Sequence, residues 1–345
     1  MFPNKLIVII LVLTLFSCST PKKTDFKISL LNQKELNSNQ DLKLKVLNPK
    51  DYAVNSIVVR FLEQEIEIEA DTDIALHLED AKLGTHTLHV DVDVDGEHIH
   101  LKQSVIVHHY KKPDFYSYEI TNTFPHDIKA YTQGLEFYKD TLYESTGMRG
   151  RSSLRKLDYE TGKIYDQINL EDYYFGEGLT FIDDRIIQLT YQAEEGLIYD
   201  ADKFERTGKF KYNQSKEGWG LCYDGKWLYK TDGSDKIWRL DPETLEEVDY
   251  FQAVTNSTVL KGLNELEYVD GKIYANTYLK DGVVIFDPKT GAVEGLIDLR
   301  GLKSKVTKHP ELDVLNGIAY YPKTEKFYVT GKNWDKLFEI ELSKK

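Results

Sequence analysis

The sequence predicts an all-β fold in two parts, and three observations carry that expectation. A short step, usually Gly followed by Leu or Ile, recurs as Gln133-Gly134-Leu135, Glu177-Gly178-Leu179, Trp219-Gly220-Leu221, Asn264-Glu265-Leu266 and Asn316-Gly317-Ile318. Its intervals are 44, 42, 45 and 52 residues, the mark of a repeat architecture. Each repeat also carries a hydrophobic pair followed by threonine, from Leu142-Tyr143…Thr146 through Ile186-Ile187…Thr190, Leu228-Tyr229…Thr231 and Ile273-Tyr274…Thr277 to Phe327-Tyr328…Thr330. Ahead of the repeats, residues 24–111 read as short alternating strands with little helical periodicity. Four strands in about 45 residues make one propeller blade. Residues 115–345 are therefore expected to form a five-bladed β-propeller, and residues 24–111 a small immunoglobulin-like β-sandwich.

The chain opens with Lys5, an apolar run from Leu6 to Phe16, and Ser17-Cys18. That run is too short to span a bilayer and suits an export signal over residues 1–17. Leu15-Phe16-Ser17-Cys18 resembles a bacterial lipoprotein box, with Cys18 acylated as the mature N-terminus and residues 18–23 as lipidated end and linker. Acyl chains contribute roughly 0.8 kcal/mol per buried methylene, enough for several of them to anchor the protein stably. Ser19 follows the cysteine, with no Asp to signal inner-membrane retention, so an exported lipoprotein of the outer envelope membrane is expected.

Within residues 24–111 the clearest strands are Leu42–Val46, Ile57–Phe61, Ile66–Ile68 and Val105–Val107. Asp91-Val-Asp93-Val-Asp95-Gly96 matches the start of an EF-hand loop, but the twelfth position is Lys102 where a bidentate Glu belongs. A strand entering a tight hairpin explains it better. His86, His89, His98, His100, His108 and His109 follow strand spacing, not a zinc spacing, and are read as exposed-face residues. Lys111-Lys-Pro-Asp114 is the expected linker. Past it, Tyr and Trp become frequent, and turns such as Asp158-Tyr-Glu-Thr-Gly162 and Asp287-Pro-Lys-Thr-Gly291 separate strands such as Ser153–Leu157, Lys236–Leu240 and Val283–Phe286. The last repeat stops after Lys336–Leu342 with one strand missing, and Tyr116–Thr123 is the candidate to supply it and close the ring.

The 44 basic and 57 acidic residues give a net charge of −13 with no basic tract, which argues against a nucleic-acid partner. Cys222 is the only cysteine besides Cys18, so the mature domain has no internal disulfide, and Cys222 reads as a buried strand residue.

The innermost strands of a propeller line its channel, so Gln133, Glu177, Trp219, Asn264 and Asn316 should converge at one mouth. Residues just after the repeated threonines, including Tyr191, Tyr278 and Lys332, would join them in a cup with one carboxylate, one ammonium, amides and aromatic walls. Several motifs here carry a specific resemblance. Tyr131-Thr-Gln-Gly-Leu-Glu136, Glu144-Ser-Thr-Gly-Met-Arg-Gly-Arg-Ser-Ser-Leu-Arg155, Phe175-Gly-Glu-Gly-Leu-Thr180, Glu217-Gly-Trp-Gly-Leu221, Leu263-Asn-Glu-Leu-Glu-Tyr268 and Val329-Thr-Gly-Lys332 resemble the plant and bacterial glutaminyl-peptide cyclotransferases. The resemblance covers essentially all of 115–345 and none of 24–111.

It implies a five-bladed propeller, unrelated to the animal zinc enzymes of the same activity, that turns an N-terminal glutamine of a peptide or protein into pyroglutamate and releases ammonia. It implies Glu177 as the proton shuttle, with Lys332, Gln133 and Asn264 as donors to the oxyanion or grips on the substrate amide. Trp219 and Tyr131 would wall the glutamine side chain, with Asn316 on the ring beside them. Tyr191 and Tyr278 stand where the plant enzymes are expected to carry tryptophans, so the wall stays aromatic while substrate range can differ. Glu177 is expected to be a stronger base than a free Glu, through burial among aromatic rings. The expected catalysis needs no cofactor or metal, although the resemblance allows a structural calcium, and the expected state is a monomer. Two competing readings are a non-catalytic envelope module that binds a peptide or glycan, and a calcium-dependent lactonase-like propeller. The second would need more channel carboxylates than Glu177 supplies.

Overall fold

The computed structural model describes residues 20–32, 36–78 and 81–345. The signal expected over 1–17 and the lipid-bearing Cys18 lie outside the described residues. What is described is almost entirely β, with two short 3-10 turns at Lys23–Asp25 and Leu302–Lys305. No helix among the described residues is long and apolar enough to cross a membrane.

Two compact units divide the described residues, neither of them contiguous in the chain. The first comprises 20–32, 42–76 and 87–104, and the second takes 36–41, 77–78, 81–86 and 105–345. The first unit holds most of two sheets. One orders Lys27–Leu30, Leu42–Leu47 and Asp73–Leu76, and the other orders Gln64–Ile68, Val54–Phe61, Gly84–Val94 and Glu97–Val107. Strand alternation is clear: Leu42, Leu44 and Val46 are sealed while Lys43 is exposed and Lys45 half-buried. Asp95 and Gly96 both take positive φ, at 50° and 78°, and join the last two strands in a two-residue turn. Those dihedrals suit a primed hairpin turn, so the Asp-rich run is a hairpin and not a calcium loop.

The second unit is propeller-like. Three separate four-stranded antiparallel sheets follow one another through residues 132–169, 176–211 and 221–251. An eight-stranded sheet holds the rest, and its two halves meet at Asp114–Pro125. That strand pairs antiparallel with the C-terminal strand, from Lys336↔Pro125 to Lys344↔Tyr116, so the chain's final sheet is completed by residues from before the first repeat. The first strands of the successive sheets are Thr132–Tyr138, Gly176–Ile182, Leu221–Tyr223, Leu263–Val269 and Leu315–Tyr321. Each lies against the next and the last returns to the first, making a closed ring. Apolar side chains fill every gap between neighbouring sheets. Leu179 and Phe181 meet Tyr143 and Leu154 in one wedge, and Leu135 and Leu142 meet Ala319 and Tyr328 in the closing wedge.

The ring explains the repeated glycines. A Cβ on Gly134 would lie 2.6 Å from the Leu179 nitrogen, and one on Gly178 2.6 Å from the Trp219 oxygen. On Gly220 it would lie 1.9 Å from the Asn264 oxygen. Neighbouring inner strands come too close there for any side chain. The fourth repeat carries Glu265 instead, whose buried carboxylate accepts the Leu135 and Ile318 N–H groups (3.3 and 3.0 Å) and so joins the inner strands of the first and last sheets.

Candidate active site

The same register recurs at the mouth of the ring. Gly147, Tyr191, Tyr278 and Lys332 each donate their backbone N–H to the carbonyl two residues before a ring position, those of Tyr131, Phe175, Gly262 and Val314 (2.8, 3.0, 2.8 and 2.9 Å). Strand pairing sets Gly331 opposite Leu315, where the other half of the eight-stranded sheet sets Thr277 opposite Leu263. Lys332 therefore takes the structural place of Tyr278, one residue further past its threonine than the sequence spacing suggested. Lys332 rides a tight turn through Asn333 (φ 59°), held by Asn333 N–H to the Ala130 carbonyl (2.7 Å) and by its Nδ2 to the Ile128 carbonyl (3.1 Å).

Tyr131, Gln133, Phe175, Glu177, Tyr191, Trp219, Asn264, Tyr278 and Lys332 line one cavity of about 180 Å³. Sites that engulf a drug-sized ligand run to roughly 300–1,000 Å³, so this one suits a single residue's side chain. Eight of these nine were expected from the sequence. Asn316, the remaining expected residue, sits behind the wall. Its Nδ2 donates to Gln133 Oε1 (3.1 Å) and to the Thr132 carbonyl (3.0 Å), and Gln133 Nε2 donates in turn to Glu177 Oε1 (2.8 Å). The Asn316–Gln133 pair thus holds the acid from the channel side.

Glu177 is buried and its second oxygen, Oε2, has no hydrogen-bond partner among the described residues. Burial pushes its carboxyl well above the usual range; the Lys332 ammonium and the Gln133 amide pull down, while the Glu217 charge pushes further up. Burial lowers Lys332 below an ordinary lysine, against the pull of Glu177 and Asp313. The Lys332 ammonium lies 4.9 Å from the Tyr131 ring centre and 5.6 Å from that of Tyr278. The rings form a collar. Tyr131 meets Phe175 edge-on (6.0 Å), then come Tyr191 (5.8 Å), Trp219 (6.4 Å) and Tyr278 (5.5 Å), and Lys332 bridges the gap back to Tyr131. Tyr131 is fixed by its hydroxyl, which donates to Asp313 Oδ2 (2.7 Å). Asn264 is buried with its Oδ1 unpartnered among the described residues. Two unsatisfied oxygens and one ammonium in an apolar collar leave the polar work of the site to a ligand.

Phe175 and Asp313 were not singled out from the sequence. Phe175 had a usable signal: it stands two residues before Glu177, as Tyr131 stands two before Gln133. Asp313 had none, since it is joined to Tyr131 across 182 residues of chain. Among the described residues no group of three His, Cys, Asp or Glu is arranged to hold a metal ion. No step below uses a metal ion.

Comparison with known proteins agrees with this geometry. Residues 97–342 match the family model for glutamine cyclotransferase. Over 227 residues the chain is 40% identical to a glutaminyl-peptide cyclotransferase of Arabidopsis thaliana, which covers 65% of this chain and 71% of the plant protein. The crystal structure of Myxococcus xanthus glutaminyl cyclase superposes with a TM-score of 0.63 at 33% identity, over 68% of this chain and 100% of that one. With the family match running through every strand that builds the cavity, the chain belongs to the glutamine cyclotransferase family.

Proposed function

We infer that the protein is a glutaminyl-peptide cyclotransferase, acting on peptides or proteins that begin with glutamine. One observation carries the reading: a sealed carboxylate, Glu177, with one oxygen held and the other unpartnered, in a one-residue cavity of a chain from this family.

The chemistry follows from the residues. The substrate's α-amine attacks the δ-carbon of its own side-chain amide. Glu177 takes the proton from the attacking nitrogen at Oε2 and returns one to the amide nitrogen, which leaves as ammonia. The carboxylate ends as it began. Holding both reacting groups of one residue in an aromatic collar supplies part of the acceleration as preorganisation. Lys332 is the cation for the oxygen that becomes negative in the tetrahedral intermediate, and low local dielectric strengthens it. Asn264 Oδ1 is left for a substrate N–H. Gln133 fixes Glu177 through one Nε2 hydrogen while Asn316 holds its Oε1, which leaves the second Nε2 hydrogen for the substrate amide. No metal takes part in this reading.

The ring is read as a five-bladed propeller on the strength of five inner strands and the wedge of core between each pair of sheets. Residues 24–111 are read as an immunoglobulin-like sandwich on their two antiparallel sheets. The apolar run from Leu6 to Phe16, followed by Ser17-Cys18, supports an envelope lipoprotein, tested by labelling with a palmitate analogue in the parent and in Cys18→Ala. For the activity, a glutamine-led peptide should lose one ammonia by mass far faster with the protein than without it. The same peptide with an acetylated N-terminus should not react. Equal rates with and without protein would overturn the assignment.

A further inference from the structure

The third sheet breaks the pattern at the mouth. The positions two residues before the ring are Tyr131, Phe175, Glu217, Gly262 and Val314, and the first two line the cavity as rings. The third is a carboxylate. Its inner strand starts late, at Leu221, and leaves residues 212–220 as a loop. That loop is held from below by Glu247, which accepts the Gln214 and Ser215 N–H groups at Oε2 (2.7 and 2.9 Å). Ser215 Oγ donates to Glu247 Oε1 (2.5 Å) and lies 3.3 Å from the Glu217 carbonyl. Glu217 is thus delivered to the rim by a braced loop.

We propose that Glu217 is a positioning residue of the active site, a second carboxylate that fixes the Trp219 wall by hydrogen bonding and acts on Glu177 through its charge. The proposal rests on the cyclase reading above and deepens it. Trp219 Nε1 donates to Glu217 Oε2 (3.0 Å), and Gln192 Nε2 donates to Oε1 (3.1 Å). Gln192 in turn accepts from Arg149 Nη2 (3.5 Å), whose Nε donates to the Tyr173 carbonyl (3.3 Å). The result is an arc across the loops of three sheets with Glu217 at its end. The indole rests on Gly233, where a Cβ would come within 2.4 Å of Trp219 Cζ2. With a glycine floor beneath and Tyr191 and Tyr278 beside it, the ring's tilt is set by the Nε1 bond to Glu217.

An acceptor for one indole N–H does not need a charge, and glutamine would serve. The charge matters because Trp219 joins the two acids: its Nε1 is bonded to Glu217, its carbonyl accepts the N–H of Gly178 next to Glu177 (2.6 Å), and it lines the same cavity as Glu177, whose carboxyl the Glu217 charge pushes up. The groups around Glu177 are Lys332, Gln133 and the phenols Tyr131, Tyr191 and Tyr212; those around Glu217 are Tyr191, Gln192, Trp219 and, through Gln192, Arg149. Burial does most to raise the acid, and Lys332 and Glu217 then act on it with opposite signs.

The test is kcat/KM against pH for the parent, Glu217→Gln and Glu217→Ala on a glutamine-led peptide, with tryptophan fluorescence alongside. Glu217→Gln keeps an acceptor for Trp219 and removes the charge. Its KM should stay within about threefold of the parent while the acidic limb moves down by roughly half a pH unit, the reach of one charge through a partly solvated site. Glu217→Ala should show the same shift, a KM raised about tenfold and an altered emission from Trp219. A parent that turns over normally, with both variants superposed on its pH profile, would overturn the proposal alone. A parent without turnover would overturn the cyclase reading and this proposal with it.

Discussion

Gly220→Ala should damage the site although Gly220 is not one of the residues that line it. The added methyl carbon would start 1.9 Å from the Asn264 carbonyl oxygen, 2.7 Å from its carbon and 2.9 Å from Glu265 Cα. A carbon and a carbonyl oxygen settle at about 3.3 Å or more, so the two inner strands must part by about 1.4 Å. Overpacking of that kind costs roughly 1–3 kcal/mol, which for a domain of this size lowers Tm by roughly 2–12 °C. The strand pushed aside carries Asn264 into the cavity, and a displacement near 1 Å can cost about 100-fold in rate. Gly208→Ala is the control, because its Cβ would meet nothing closer than 3.8 Å. It should leave stability within about 0.5 kcal/mol and activity unchanged. Calorimetry and ammonia release on both variants read the two effects. A Gly220→Ala protein with parental Tm and kcat/KM would refute the close-approach account of the repeated glycines.

Three further outcomes are expected. Lys332→Met removes the charge that draws Glu177 down, so the acidic limb of kcat/KM should move to higher pH, and the lost oxyanion partner should lower kcat about 100-fold or more. His126 and Glu144 form a sealed pair, Nε2 to Oε1 at 3.0 Å. Burial opposes both charges, but their mutual attraction wins: His126 is raised above its usual value, and Glu144, helped by Arg155 and Thr132, is pushed down to about 2. The His126 contribution is complete below about pH 6.5 and is lost as pH rises through its folded value. The Glu144 contribution is complete above about pH 4.5 and fades as pH falls towards 2. A plot of Tm against pH should therefore flatten on its alkaline side in His126→Gln. Glu247→Ala should destabilise by about 3–5 kcal/mol, measured by urea unfolding, because it strands the Lys230 ammonium, which is 0% exposed and 2.8 Å from Glu247 Oε1.

Much of this was legible in the sequence, for physical reasons. Glycine recurs where strands touch and polar residues vary where a channel opens, so a period near 45 pointed to the ring and to most of the residues that line its cavity. Tyr116–Thr123 could be assigned to the last sheet because that sheet otherwise lacked a strand. Long-range hydrogen bonding was not legible. Nothing local to Asn316 says that it braces Gln133 instead of facing the cavity. Asp313 reaches Tyr131 only through the closure of the ring. Glu217 was visible as a motif letter, but its meaning needed the late start of the third inner strand, which periodicity does not reveal. The strand starting at Gly84 and the one ending at Val107 each belong partly to both compact units, a division that no linker composition announced.

The central claim is that Glu177 carries the proton between the attacking amine and the departing ammonia. Glu177→Gln is the most direct test, because glutamine keeps the side chain's length and an oxygen to accept from Gln133 Nε2 while removing the base. Single-turnover ammonia release from a glutamine-led peptide should fall to near the spontaneous rate, with peptide binding retained. Turnover within a few-fold of the parent would contradict the account and move the proton to another group.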